Sequence, residues 1–188
     1  MQRLASVSLR LTGWRVEGEP PSEPKFVALG VPHTSNWDGL LLVAIAQSIE
    51  LPIAWMIKGS WVRGPMGVLL RSVGAIAIDR SKANNVVDAM VREFQVRDQL
   101  ALVIPPAGTR KRGEHWKSGF YHIACGADVP VIPTYLDYRR KCAGFGPALR
   151  MTGDMTTDMD RIREFYADGR YAARFPSDVT PIRLREEP

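Results

Sequence analysis

The stretch Phe26-Val27-Ala28-Leu29-Gly30-Val31-Pro32-His33-Thr34-Ser35-Asn36-Trp37-Asp38 decides how this chain is read. Residues 26–31 are uncharged and of strand length, which suits a strand buried on both faces. Pro32 keeps Val31 extended. Ser35 or Asn36 is placed to cap a following helix, and Asp38 falls in its first turn, where the helix dipole favours a carboxylate. A buried strand running through a short turn into a helix is the repeating unit of an α/β domain. The turn also carries chemistry. On one continuous helix, side chains five residues apart point about 140° away from each other. His33 and Asp38 therefore meet only if His33 lies in the turn and folds back over the helix start. A carboxylate on one imidazole nitrogen fixes the tautomer and leaves the other free as a base.

Outward from this unit, the pattern repeats. Apolar runs at 53–57, 75–78, 100–104 and 131–136 read as further strands. Helical patterns fall at 40–49, 86–95, 118–125 and 157–167. The second has the stripe Val87, Met90, Val91 and Phe94, with Asn84 or Asn85 as its cap, and the last is polar enough to lie on the surface. The expected architecture is a single α/β domain over residues 1–188, with a mixed, largely parallel sheet flanked by helices. Sites in such sheets sit in the loops at strand ends. Residues 1–25 read as an N-terminal helix and linker. Leu4, Val7, Leu11 and Trp14 recur at near-helical spacing, which fits either a helix lying on a membrane or one packed on the domain. Residues 176–188, rich in proline and acid, read as a surface tail.

Composition bounds the function. Of the 188 residues, 45% are hydrophobic and 24% charged, as in an ordinary globular domain, and the formal net charge of +5 suits an anionic partner. Lys58, Arg63, Arg71, Arg80 and Lys82 are opposed only by Asp79, and Arg110, Lys111, Arg112 and Lys117 only by Glu114. Both clusters flank glycines and prolines, as phosphate-wrapping loops do. Recognised nucleic-acid motifs are absent, so no nucleic-acid partner is expected. Cys125 and Cys142 form no ligand spacing with the three histidines, so no metal site is expected. No apolar run is long enough to span a bilayer, so any membrane contact is peripheral. No G-x-S-x-G elbow marks a nucleophile. The attacking hydroxyl is then expected from the substrate, with Ser35 serving as a helix cap.

Four blocks in order give the reading its direction. They are His33-x-x-x-x-Asp38, Gly74-Ala75-Ile76-Ala77-Ile78-Asp79-Arg80, Pro106-Ala107-Gly108-Thr109-Arg110 and Val129-Pro130-Val131-Ile132-Pro133. Together they resemble the lysophosphatidic acid (1-acylglycerol-3-phosphate) acyltransferase family of the glycerolipid acyltransferase superfamily. Lys58, Pro65 and Gly67 match its basic loop, and Lys117 and Gly119 the segment after the third block. The resemblance implies acyl transfer from acyl-coenzyme A or acyl carrier protein, as co-substrate, to a lysophospholipid-like acceptor in phospholipid biosynthesis, with no bound cofactor. It implies His33 as general base, held by Asp38. Arg80 and Arg110 would bind the acceptor's phosphate, helped by Lys58, Gly108, Thr109 and Lys117. It also implies an anionic membrane surface as partner and a cytoplasmic, peripheral location on the inner face of the cell membrane. One position departs from the pattern: Ala107 stands where the family has glutamate. That keeps two alternatives open on the same fold, a non-catalytic lipid-binding protein and a thioesterase.

Overall fold

The computed structural model describes residues 2–62, 64–78, 83–167, 169 and 171–187. Of the residues singled out above, Arg63, Asp79, Arg80 and Lys82, with the side chains of Asn84 and Asn85, lie outside the described part. In chain order the elements are α1 (Gln2–Thr12), β1 (Arg15–Glu17), β2 (Lys25–Val31), α2 (Asn36–Ser48), β3 (Ile53–Lys58), α3 (Gly64–Ser72), β4 (Ala75–Ile78), α4 (Ala83–Val96), β5 (Leu100–Ile104), α5 (Gly119–Ala127), β6 (Val131–Asp137), β7 (Cys142–Phe145) and α6 (Met155–Ala167).

Among the described residues the strands form one seven-stranded sheet in the order β1-β7-β6-β2-β5-β3-β4. All neighbours run parallel except β6 and β7. The expected mixed, largely parallel sheet is thus present. The uncharged runs explain themselves once the sheet is covered on both sides. In β2, Val27, Leu29 and Val31 point to one core, and Phe26 and Ala28 to the other. In β5, Leu100, Leu102 and Ile104 divide from Ala101 and Val103 in the same way. One layer is built by α4, α5 and α6. The other holds α2, with α1 packed on it. The right-handed crossover rule puts α3 in this second layer too, because β3 to β4 steps in the same direction as β2 to β3. Gly74 marks a close approach before β4. Its φ is +92°, and any Cβ there would sit 2.0 Å from the Ile53 carbonyl oxygen.

Two expectations need refinement. Helix α6 does keep an exposed face, with Thr156, Asp160 and Glu164 on it, but it is anchored more deeply than its polarity suggested: Met159, Ile162 and Tyr166 are buried in the main core. Its charged residues misled the pattern, because Asp158 is itself buried and holds the Tyr121 hydroxyl and the Thr152 amide. The chain end, expected as a surface tail, runs over the surface but is fastened to the domain. The Trp116 amide donates to the Arg183 carbonyl at 2.7 Å, Gly113 N–H to Thr180 Oγ1 at 3.0 Å, and Leu184 is 3% exposed. Burying that leucine contributes roughly 2 kcal/mol, against about 0–1 for the exposed Lys111–Asp178 ion pair. Apolar burial and backbone hydrogen bonds therefore strap this segment across the loop after β5.

Candidate active site

Strands β2 and β5 lie side by side, but the helices that follow them leave on opposite faces of the sheet. A crevice opens at their carboxyl ends, the place where ligands bind in open parallel sheets. His33 stands there, two residues beyond β2, after a cis Val31–Pro32 peptide bond. Ser35 caps α2: its side chain accepts from Trp37 N–H at 2.9 Å, and Asp38 completes a capping box. Asp38 is 4% exposed. Its Oδ2 accepts from Thr34 N–H at 2.7 Å and Ser35 N–H at 2.8 Å, and lies 3.7 Å from His33 Nδ1. The fold-back that the spacing demanded is realised. The contact is longer than a hydrogen bond, so Asp38 acts on His33 through its charge.

Burial of the His33 ring lowers its pKa below 6.5; the Asp38 charge opposes this, and the Arg110 charge adds to it. The imidazole is therefore neutral near pH 7. With Nδ1 toward Asp38, Nε2 is available to accept a proton.

The loop after β5 closes the other side. Ala107 is half-buried against the core and lines the crevice with His33 and Thr34. Gly108 takes φ +65°, and the Lys117 side chain lies where a Cβ would be. Thr109 is exposed, its Oγ1 accepting from Lys111 N–H at 3.3 Å. Arg110 reaches across to donate to Asn36 Oδ1 at the start of α2. His33 and Ala107 thus line one crevice; Asp38 stands against His33, the Arg110 charge acts on it, and Gly108 and Lys117 meet each other in the loop that follows Ala107. Lys58, exposed at the carboxyl end of β3, stands at the same rim of the sheet beyond β5. Arg80 lies outside the described residues.

Sequence reasoning missed three parts. Asn36 meets Arg110. Tyr171, Asp178, Val179 and Thr180, from the last part of the chain, line the crevice together with Ala107. Tyr138 donates from the end of β6 to Asp38 Oδ1 at 2.5 Å. No spacing could have flagged Tyr138, which is 100 residues from its partner. The proline-rich look of the chain end pointed away from the site.

A family model described as Acyltransferase matches residues 15–137. A 1-acyl-sn-glycerol-3-phosphate acyltransferase of Haemophilus influenzae is 31% identical over 133 residues, covering 65% of this chain and 54% of that protein. The corresponding protein of Escherichia coli is 29% identical over 133 residues, covering 65% of this chain and 53% of its own. A human 1-acyl-sn-glycerol-3-phosphate acyltransferase alpha is 29% identical over 119 residues, covering 61% and 41%. The chain spans about half the length of the curated relatives it matches. The crystal structure of the 1-acyl-sn-glycerophosphate acyltransferase of Thermotoga maritima superposes with a TM-score of 0.62 at 14% identity, covering 92% of this chain and 80% of that one, and so shares the fold.

Proposed function

The chain belongs to the acyltransferase family, and on that premise we propose that it moves a fatty acyl group from acyl-coenzyme A or acyl carrier protein to the hydroxyl of a lysophospholipid-like acceptor. The observation that carries the reading is a neutral, partly exposed imidazole at the β2/β5 switch point, with a buried carboxylate 3.7 Å from its Nδ1 and the Arg110 charge acting on it. In the transfer, Nε2 of His33 takes the acceptor's hydroxyl proton as that oxygen bonds to the thioester carbonyl carbon. The carbonyl electron pair moves to oxygen, and returns as the carbon–sulfur bond breaks. The departing thiolate takes the proton from the imidazolium, which Asp38 stabilises meanwhile. Arg110 offers a bidentate fork to the acceptor's phosphate. Arg80, Lys58 and Lys117 are assigned the same anion, and Gly108 and Thr109 the close approach of backbone and hydroxyl to it.

Ala107 favours a second reading. An alanine methyl neither accepts a hydrogen bond nor orients Arg110, so loss of transfer would leave a thioesterase or a lipid-binding protein. The test is incubation with palmitoyl-coenzyme A and a panel of lysophospholipids, following thiol release and lipid product together. Acceptor-dependent product supports transfer. Thiol released at the same rate without acceptor identifies a thioesterase. Silence from the protein and from Ala107→Glu alike leaves lipid binding. We expect Ala107→Glu to raise turnover several-fold; equal or lower turnover counts against any role for a carboxylate there.

The acceptor is a membrane lipid in this reading, and we assign the protein a peripheral place on the inner face of the cell membrane. No helix among the described residues is long and apolar enough to cross a membrane. What supports surface contact is the distribution of exposed apolar side chains. Leu4, Val7 and Leu11 on α1, Leu40 on α2, and Met66 and Leu69 on α3 are each more than half exposed and share one helical layer. Neither α1 nor α3 contains an acidic residue, and Arg3, Arg10 and Arg71 lie among these side chains. Leu11, 82% exposed, supports little of the fold. Leu11→Glu is expected to leave Tm within a degree or so, about 0.5 kcal/mol, while reducing co-sedimentation with phosphatidylglycerol vesicles several-fold. Undiminished co-sedimentation removes α1 from the contact.

A further inference from the structure

Tyr138 lies in none of the four sequence blocks and just beyond the matched residues 15–137. Its hydroxyl nonetheless donates to Asp38 Oδ1 at 2.5 Å, on the carboxylate edge opposite Oδ2, which takes the Thr34 and Ser35 amides and faces His33. The phenol is held at both ends. Its backbone N–H donates to the Ala172 carbonyl at 2.9 Å. Its ring meets Trp14 edge-on, centroids 5.1 Å apart, and Trp14 is buried with Leu9 of α1 and Ala143 of β7. Burial and the Asp38 carboxylate push the phenol's pKa above its usual range, so it remains a donor throughout the working pH range.

Building on the acyl-transfer reading, we propose that Tyr138 is a positioning residue of the His33–Asp38 pair, acting through the carboxylate by drawing charge from it. A carboxylate that accepts a hydrogen bond on one oxygen spreads its negative charge toward the donor. Its pull on an imidazolium at the other oxygen is then weaker. Without the phenol hydroxyl that pull strengthens, and two backbone amides still keep Oδ2 in place. Other groups face the pair: Arg110 from the loop after β5, Asp178 and Tyr171 from the chain end, and Arg174, whose charge acts on Tyr138 from beside Trp37. None of these is altered by Tyr138→Phe, which keeps the ring against Trp14.

The test is NMR titration of the His33 ring protons, assigned by their loss in His33→Ala, in the natural sequence, in Tyr138→Phe and in Tyr121→Phe. The last is the control. It deletes a hydroxyl that donates to buried Asp158 at 3.0 Å, in the helical layer across the sheet. In Tyr138→Phe the His33 midpoint is expected to rise by about half a unit, and in Tyr121→Phe to stay. An unchanged or lowered midpoint in Tyr138→Phe overturns the proposal. In the transfer assay the acid limb of kcat is expected to move up with the His33 midpoint, with the acceptor KM within about twofold of its original value; an acid limb that stays put, or a raised KM with that limb unmoved, also overturns it. If the unaltered protein transfers no acyl group, the functional reading fails, while the titration still decides the role of Tyr138.

Discussion

Replacing His33 by alanine is expected to reduce acyl transfer by about 10²- to 10⁴-fold, the range of a lost general base, while the fold survives. His33 is partly exposed and meets Asp38 at 3.7 Å, so its side chain carries little of the packing. The measurement is kcat/KM for thioester and acceptor across pH, with circular dichroism to check the fold. The pH profile adds a second constraint. Burial places the His33 pKa below 6.5, so transfer is expected to fall on an acid limb whose midpoint lies below that value. Stability follows with a defined sign. The unfolded chain protonates this histidine more readily than the folded one, so folding stability declines as pH drops through 6.5 toward the native pKa and levels off beneath it. The alanine variant loses that part of the pH dependence. A variant retaining a tenth of the original rate would remove His33 from the chemistry.

The second large effect is on Asp38, where stability and activity separate. Asp38→Ala strands three donors: the Thr34 and Ser35 amides and the Tyr138 hydroxyl. It also removes the carboxylate from the first turn of α2. Leaving buried donors unpaired costs on the order of 3 kcal/mol in total, which for a chain of this size lowers Tm by about 10 °C. Asp38→Asn is the informative partner. Its amide oxygen still accepts from the two backbone amides, and the tyrosine hydroxyl can turn to accept from its NH₂. Asparagine is therefore expected to restore most of the Tm while leaving transfer at least 10²-fold down, because no charge remains to stabilise the imidazolium. Thermal melts and the transfer assay on the same two variants check this. Near-normal transfer in Asp38→Asn would reduce Asp38 to a helix cap.

Local signals carried much of this. The uncharged run ending at Val31, the Pro32 turn, the Ser35 cap and the placement of Asp38 are short-range features, and each forms where its own chemistry puts it. The periodicity also placed β3, β4, β5 and β6 within a residue or so, because strands buried on both faces announce themselves by lacking charge. What local pattern lacks is knowledge of what covers a polar residue. Helix α6 looked like surface because its charges are near in sequence, yet Asp158 is buried against Tyr121 from α5. Strands β1 and β7 are too short to stand out and exist through pairing with each other and with β6.

The sequence by itself determined an α/β domain, the loops that carry its chemistry, and the pairing of His33 with Asp38, since each rests on contacts a few residues apart. Only the tertiary structure decided what surrounds that pair. Tyr138 on Asp38 and Arg110 on Asn36 join residues 100 and 74 positions apart, and the chain end that lines the crevice with Ala107 is held by burial of Leu184. Such contacts leave no periodicity, because what brings them together is the closing of the sheet and its two helical layers, and that depends on the whole chain at once.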